Sequence, residues 1–423
     1  MIDSIKEKGY FTTTFNTTEN CNLRCKYCYE INKKEKRLPL EYAKKYIDWI
    51  LQDPDPADLL NDPDPVFRNA YKHGWCMDFI GGDSFMDPDL LDQILSYAIK
   101  QLFLAPNDLN SKIPLFKREV RASISTNGTL FGNPKVRDLC KKYAPILLVG
   151  ISIDGCPEIH DKYRVFPDGT GSMSTILKWW DWYKELFPFS ALQTKATASV
   201  ATIPYLYDSL KFMHETLGMK YIMQNFIMED SGATEEDYKL LDKELERCVG
   251  YVLEHRHDLF WSPFGKDQFA SAHLSTGDDW NLKGHCGSGA MPALSTSGLI
   301  YPCHRWLPHT FIDKSAFVVG DVWNGFNHKE NFKKVREGAY RCNCTKEEKC
   351  KTCPYESACT YCIGGCYSEF GEFRRTTYIC EYTKLQVKWA RVYWDEYNKL
   401  EGLPPVHWEE ESLKDQYRRM AKQ

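Results

Sequence analysis

The stretch Thr17-Thr18-Glu19-Asn20-Cys21-Asn22-Leu23-Arg24-Cys25-Lys26-Tyr27-Cys28-Tyr29-Glu30 decides how this chain is read. Its cysteines are spaced C-x3-C-x2-C, directly after Tyr10–Asn16, a β-branched and aromatic run that reads as a strand. Three thiolates on one short loop can each hold one iron of a cubane cluster. The fourth iron is then open to a small molecule. A structural zinc site wants four closed ligands, and the loop carries three.

Outward from this loop, strand-like and helix-like stretches alternate. Strands are expected at 75–80, 120–125, 145–153, 195–200 and 220–228. Helices are expected at 39–52, from the Asp87-Pro88 cap to about 103, from Asn133-Pro134, and at 172–186 and 204–217. Six strand–helix units in strict order argue for a parallel sheet with outer helices, an α/β partial (β/α)6 barrel. Such folds place their chemistry in the loops after the strands. The Asp-Pro-rich segment 53–65 reads as a solvated surface loop, with docking of a basic peptide as the alternative use. A charged amphipathic helix at 235–255 bridges to a cysteine-rich region, and 382–400 reads as a closing helix.

The 423 residues suffice for two to three domains. With 54 Lys and Arg against 58 Asp and Glu, the formal charge is −4. No basic stripe interleaved with aromatics is present, which argues against nucleic acid as a partner. No apolar run reaches the ~18 residues of a spanning helix, and Met1–Phe15 lacks the apolar core of a signal peptide, so no membrane partner and a cytoplasmic location are expected. Of 17 cysteines, three lie in 21–28 and ten in 286–380, while Cys76, Cys140, Cys156 and Cys248 stand alone. Clustered thiols in a reducing compartment mean metal or catalysis rather than disulfides, and isolated ones read as core side chains.

Cys21, Cys25 and Cys28, with Tyr27 before the last, resemble the signature of the radical S-adenosylmethionine (SAM) enzymes. Further motifs follow at successive strand ends. Gly81-Gly82-Asp83 resembles that family's Gly-Gly-Glu motif, with Asp for Glu shortening the reach by one methylene. Ser125-Thr126-Asn127-Gly128 follows the third strand. Ser152-Ile153-Asp154-Gly155, and then Arg164, follow the fourth. The resemblance implies a [4Fe–4S] cluster on Cys21, Cys25 and Cys28. It also implies a SAM site built from Tyr27, Gly81, Gly82, Asp83, Ser125, Asn127, Ser152 and Arg164. Asp83 would receive the SAM ammonium, and Arg164 would pair with its carboxylate through two hydrogen bonds.

Downstream stand His285-Cys286, Gly298-x4-Cys303, Cys342, Cys344, Cys350-x2-Cys353-x5-Cys359-x2-Cys362-x3-Cys366 and Cys380. This pattern resembles the SPASM domain of radical SAM enzymes that modify peptides and proteins, and so implies two auxiliary [4Fe–4S] clusters. One would use Cys286, Cys303 and Cys366, with an open iron or a ligand from Cys342 or Cys344. The other would use Cys350, Cys353 and Cys380 with either Cys359 or Cys362. Cys350-x2-Cys353 by itself would also suit a zinc knuckle.

The resemblance implies an oxidoreductase that cleaves SAM reductively and matures a ribosomal precursor peptide (a RiPP maturase). Cys thioether cross-links of the sactionine or ranthipeptide type are the first expectation. Other side-chain cross-links, such as C–C, and anaerobic sulfatase maturation to formylglycine are the alternatives. The sulfatase-type enzymes carry an Asp base after the Gly-x4-Cys cysteine, where this chain has His304. A non-enzymatic iron–sulfur protein would have no use for the strand-end motifs. Implied partners are the peptide, an electron donor such as flavodoxin or ferredoxin, and a separate leader-binding protein, since Cys21 lies too near the start for a leader domain. The expected domains are the barrel at 1–230, a helical bridge at 231–275, the auxiliary-cluster domain at 276–385, and a helix and tail at 386–423.

Overall fold

The computed structural model describes residues 9–31, 33–63, 65–105, 113–266, 287–310, 315–340, 343–351, 353–356, 358–359 and 361–405. His285, Cys286 and Cys342 lie outside them.

The six parallel strands expected from the alternation are present as β1 (Tyr10–Thr18), β2 (Gly74–Gly81), β3 (Val120–Thr126), β4 (Leu147–Ile151), β5 (Gln193–Ala198) and β6 (Tyr221–Phe226). β1 to β4 form one continuous parallel ladder. β5 and β6, with the two-residue β7 (Phe260–Trp261), form a second. The seam between them is bridged by a side chain, as the Thr194 hydroxyl donates to the Ile151 carbonyl at 3.2 Å. The architecture is thus a parallel α/β sheet broken between β4 and β5.

Outer helices pack as the apolar spacing demands. Helix α1 (Leu40–Gln52) buries Ala43, Tyr46, Ile47 and Ile50 on one face. Helix α2 (Pro88–Leu104) starts where Asp87 accepts from Leu90 N at 3.0 Å, and α3 (Pro134–Tyr143) where Asn133 accepts from Lys135 N at 3.0 Å. The short α4 (Pro157–Tyr163) follows β4. The expected helix at 172–186 is two, α5 (Met173–Leu177) and α6 (Trp180–Leu186). The break falls at Trp179, whose indole covers the Arg137 guanidinium at 4.4 Å. The helix expected at 204–217 has α7 (Leu206–Lys211) at its centre and ends in a wider π-type turn, Phe212–Thr216.

The cysteine-rich region is joined to the barrel by the sheet itself. β8 (Ala293–Leu294) pairs parallel with β1, Thr14 opposite Ala293, and carries β9 (Leu299–Tyr301) and β10 (Gly320–Asp321) antiparallel beside it. The order of the resulting sheet is β10-β9-β8-β1-β2-β3-β4. The bridging helix is α8 (Glu235–Glu254), followed later by α9 (Glu330–Ala339), α10 (Ile363–Phe370) and the closing helix α11 (Cys380–Leu400). α11 lies against α8, with Trp389 Nε1 donating to Asp242 at 2.6 Å, and against the end of β6, where Tyr382 stacks on Phe226 at 4.6 Å. No described helix is long and apolar enough to cross a membrane.

The segment 53–65 is not the solvated excursion expected. Asp55 is buried and accepts from Leu59 N (2.8 Å) and the Tyr71 hydroxyl (2.7 Å). Asp62 is buried too and pairs with Arg336 of α9 at 2.8 Å. Asp55 and Asp62 are thus consumed internally, and Asp62, with Asp53 paired to Lys329, ties the barrel to the cysteine-rich region, while Asp58 stays exposed. Of the isolated cysteines, Cys140, Cys156 and Cys248 are buried.

Candidate active site

The cysteine loop leaves the C-terminal end of β1 and is held on two sides. On one, Gly82 N donates to Thr18 O at 2.9 Å and Asp83 N to Asn20 O at 3.0 Å. The approach needs the two glycines: a Cβ on Gly81 would lie 2.1 Å from Thr18 O, and one on Gly82 2.0 Å from Asn20 O. On the other side, Arg24 N donates to Val165 O (2.7 Å) and Lys26 N to Tyr163 O (3.0 Å). Burial and the Asp83 carboxylate push the Cys21 thiol up to about 11, and burial raises Cys25 as well. Thiols so placed stay protonated until a metal displaces the proton.

Two side chains sit differently from the sequence-based expectation. Asp83 is buried behind the cavity wall, not in it. One oxygen accepts from Phe85 N at 3.0 Å, and the other from the Thr126 hydroxyl and Asn127 N, both at 2.8 Å. A carboxylate one methylene shorter than Glu stays clamped to its neighbours. Arg164 lines the cavity, but its Nε and Nη2 go to Asp154 at 2.8 and 3.0 Å. Burial would raise the Asp154 carboxyl, but the Arg164 charge and hydrogen bonds reverse this and hold it below the usual carboxylate range. The Tyr27 hydroxyl also bonds Asp154, and the Arg164 guanidinium lies over the Tyr27 ring at 5.5 Å. The fork expected for a ligand carboxylate therefore engages a carboxylate of the chain itself.

Asn127 is tied to the cysteine loop, its amide donating to Asn22 Oδ1 at 2.8 Å and lying 3.7 Å from Cys21 Sγ. With Gly81, Gly82, Ser125 and Ser152 it lines a cavity of about 550 Å³. Cys21, Cys25 and Cys28 stand in the same wall, and so do Cys303 and Cys362 from the other end of the sequence. The β1–β8 pairing makes this possible, because it delivers the hairpin before Cys303 beside the cysteine loop. Thr296 on that hairpin donates to Glu19 at 2.6 Å.

The C-terminal thiols fall into two groups. Cys303 follows β9, and its sulfur accepts from Arg305 N at 3.4 Å. Cys362 caps α10, accepting from Gly365 N at 3.5 Å, with Cys366 one turn on. Cys344 is buried in the same apolar cluster as Cys303 and Cys366, and its thiol, raised first by burial, is raised further by Cys366. Cys350, Cys353, Cys359 and Cys380 line a separate small cavity together with Arg375. Cys359 lines the small cavity with Cys350, Cys353 and Cys380, whereas Cys362 lines the large one. Arg375 is buried, bonds Glu356 at 3.0 Å, and faces both Cys359 and Cys344. Among the described residues no three cysteines gather their sulfurs within 4.8 Å. A tetrahedral zinc holding sulfurs at ~2.3 Å would set them about 3.8 Å apart.

Lys195, Asn225, Glu229 and Arg305 also line the large cavity. Arg305 bonds Glu229 at 2.6 Å and lies over the Tyr29 ring at 4.3 Å. Lys195 and Asn225 lie within β5 and β6, and Glu229 follows β6; Arg305 had no signal beyond adjacency to His304. His304 lines the cavity as well. Burial, and then the charges of Arg305, Lys195 and His309, lower it to about 3, so it is neutral.

The model of the radical SAM superfamily aligns with residues 15–193, from β1 to the start of β5. Over those residues the chain is similar to a radical SAM domain. An uncharacterized protein of Methanocaldococcus jannaschii is 29% identical over 214 residues, 50% of this chain and 60% of that protein. The Fe-coproporphyrin III synthase of Methanosarcina barkeri is 32% identical over 155 residues, 36% of this chain and 29% of the synthase. The subtilosin biosynthesis protein AlbA of Bacillus subtilis is 29% identical over 154 residues, covering 36% and 26%. The chain thus spans less than two thirds of the length of these relatives. In fold it is similar to an anaerobic sulfatase-maturating enzyme solved with bound SAM (TM-score 0.64, 16% identity, 92% of this chain and 99% of that one). It is also similar to Streptococcus suis SuiB bound to its precursor peptide SuiA (TM-score 0.53, 14% identity, 89% and 78%). The radical SAM superfamily and both of these neighbours are enzymes.

Proposed function

We propose that this chain is a radical SAM peptide maturase with a SPASM-type C-terminal region and three [4Fe–4S] clusters, and that it joins a peptide cysteine to a carbon through a thioether. The observation that carries the proposal is the cavity of about 550 Å³ whose wall holds Cys21, Cys25 and Cys28 together with Cys303 and Cys362. A substrate in it would touch both cysteine groups at once. The donor set fits the clusters: thiols on a loop with no fourth ligand, and sulfurs spread wider than zinc would hold them.

Cys21, Cys25 and Cys28 would hold a cluster that, with SAM, would supply the chemistry of hydrogen-atom abstraction from an unactivated carbon. The chain's own residues position and shield. Gly81, Gly82, Ser125, Asn127 and Ser152 form the wall against which SAM would lie. Asp83 holds Thr126 and Asn127 in place from behind, and Asp154 with Arg164 fixes Tyr27 beside the cysteines. Arg305, Glu229 and Lys195 offer charges to a peptide backbone or side chain. The link would remove one hydrogen atom from carbon, one proton from sulfur and one electron, and the C-terminal cysteines would hold the group able to accept that electron.

Support also comes from the peptide-bound relatives: SuiB was solved on a precursor peptide, and the sulfatase-maturating neighbour with SAM and a cysteine-containing peptide. The second reading, formylglycine formation, is favoured by His304 lining the cavity next to Cys303. Mass spectrometry of a cysteine-containing precursor co-expressed without oxygen tests the two. A thioether product is lighter by two hydrogens per link and resists alkylation. A hydrazide-reactive product that has lost the cysteine sulfur, its thiol carbon now an aldehyde, would overturn the thioether reading.

A further inference from the structure

Three residues away from the large cavity bring metal-ligating atoms together. His214 lies in the π-type turn Phe212–Thr216, while His255 and Asp258 follow the end of α8. Their ligand atoms all lie within 4.8 Å of one another. His214 Nε2 is 3.4 Å from one Asp258 oxygen, and His255 Nδ1 is 3.6 Å from the other. Both distances exceed the ~2.7–3.2 Å of an N–H···O hydrogen bond. The 3.4 Å from His214 Nε2 to its Asp258 oxygen is close to the edge of a tetrahedron around an ion with ligands at ~2.05 Å, about 3.3 Å, while His255 faces the carboxylate's other oxygen. An octahedral ion at ~2.1 Å would want edges of about 3.0 Å.

The outer contacts are those of a ligand set. The other nitrogen of His214, Nδ1, is 2.7 Å from the Tyr251 hydroxyl, which in turn reaches Glu215 at 3.3 Å. A histidine ligand is commonly oriented through its second nitrogen in this way. The π-type turn supports a purpose, since such insertions concentrate at functional sites; here it carries His214 to face α8. The His214 side chain is nearly buried and Asp258 is half exposed, so one face of the set is open to water.

We propose that His214, His255 and Asp258 bind one zinc ion, with water in the fourth position. The ion joins the helix after β5 to the end of α8. Asp258 is two residues before β7, whose Phe260 N donates to Lys220 O at 2.7 Å, so the ion also anchors the last strand of the second ladder.

The test uses the full chain, reconstituted anaerobically with iron and sulfide so that its cysteines are occupied, then given zinc and dialysed. Wild type should retain one zinc with only nitrogen and oxygen neighbours at ~2.0–2.1 Å in X-ray absorption at the zinc edge. Asp258→Ala and His255→Ala, both outside the core, should lose that zinc while their iron content is unchanged. Tyr251→Phe should weaken zinc binding about 10–100-fold. A sulfur shell at ~2.3 Å, no retained zinc, or equal zinc in wild type and Asp258→Ala would overturn the site. Unchanged affinity in Tyr251→Phe would overturn the orienting role of that hydroxyl.

Discussion

The two cysteine-rich regions place thiols by opposite means. Cys21, Cys25 and Cys28 sit on one loop, and their spacing alone sets which sulfurs face one another. The described C-terminal thiols span Cys303 to Cys380, and their grouping follows from folding: a β8 strand paired with β1, a turn into α10, and the first residue of α11. Neighbours in sequence, Cys359 and Cys362, end in different groups, while Cys303 joins a wall built mostly from the barrel. Local spacing defines a site that can form early; topology defines sites that need the assembled molecule.

The largest effect that sharpens this contrast is loss of the local site. A Cys21/Cys25/Cys28→Ala triple variant should release no 5′-deoxyadenosine from SAM under dithionite and keep about eight of twelve irons, one cubane of three being lost. Residual cleavage in that variant would break the assignment of the loop.

Next in size is the pair behind the loop. Removing Arg164 leaves Asp154 buried without its cation, which costs about 3–5 kcal/mol. Thermal or denaturant unfolding of Arg164→Ala should register this. A variant as stable as wild type that binds SAM poorly would return Arg164 to the role of ligand clamp. Asp83→Ala removes an acceptor from the Thr126 hydroxyl and Asn127 N, about 1–3 kcal/mol. SAM binding measured by calorimetry should weaken roughly tenfold with iron intact, because the wall slackens while the cysteine loop persists.

Much of the barrel was legible in sequence. Strand runs, the Asp87-Pro88 and Asn133-Pro134 caps and the glycines at 81 and 82 are local signals, and local physics acts on them. The Cys21 loop was legible for the same reason. What stayed hidden depends on contacts far apart in sequence. Nothing near Ala293 announces that it will pair with Thr14, so the shared cavity could not be read. Repeated Asp-Pro suggested solvent, but Asp62 has Arg336 as its partner across the molecule. Asp83 and Arg164 were found by pattern, yet their orientation depends on Thr126, Asn127 and Asp154.

The smallest effect concerns His304. If the substrate thiol is deprotonated by metal coordination, His304→Ala should lower turnover less than tenfold, whereas a general base at that position would cost about 10²–10⁴-fold. Single-turnover rates on the co-expressed precursor separate these outcomes.

The central claim, that the fold sorts adjacent thiols into separate clusters, is tested most directly by counting iron in two double variants. Two ligands of one cubane are lost as a unit, so their effects do not add, whereas ligands of two cubanes do. From about twelve irons, Cys353→Ala/Cys359→Ala should retain about eight, and Cys353→Ala/Cys362→Ala about four. The reverse result, four irons in the first and eight in the second, would place Cys362 with Cys353 and contradict the account.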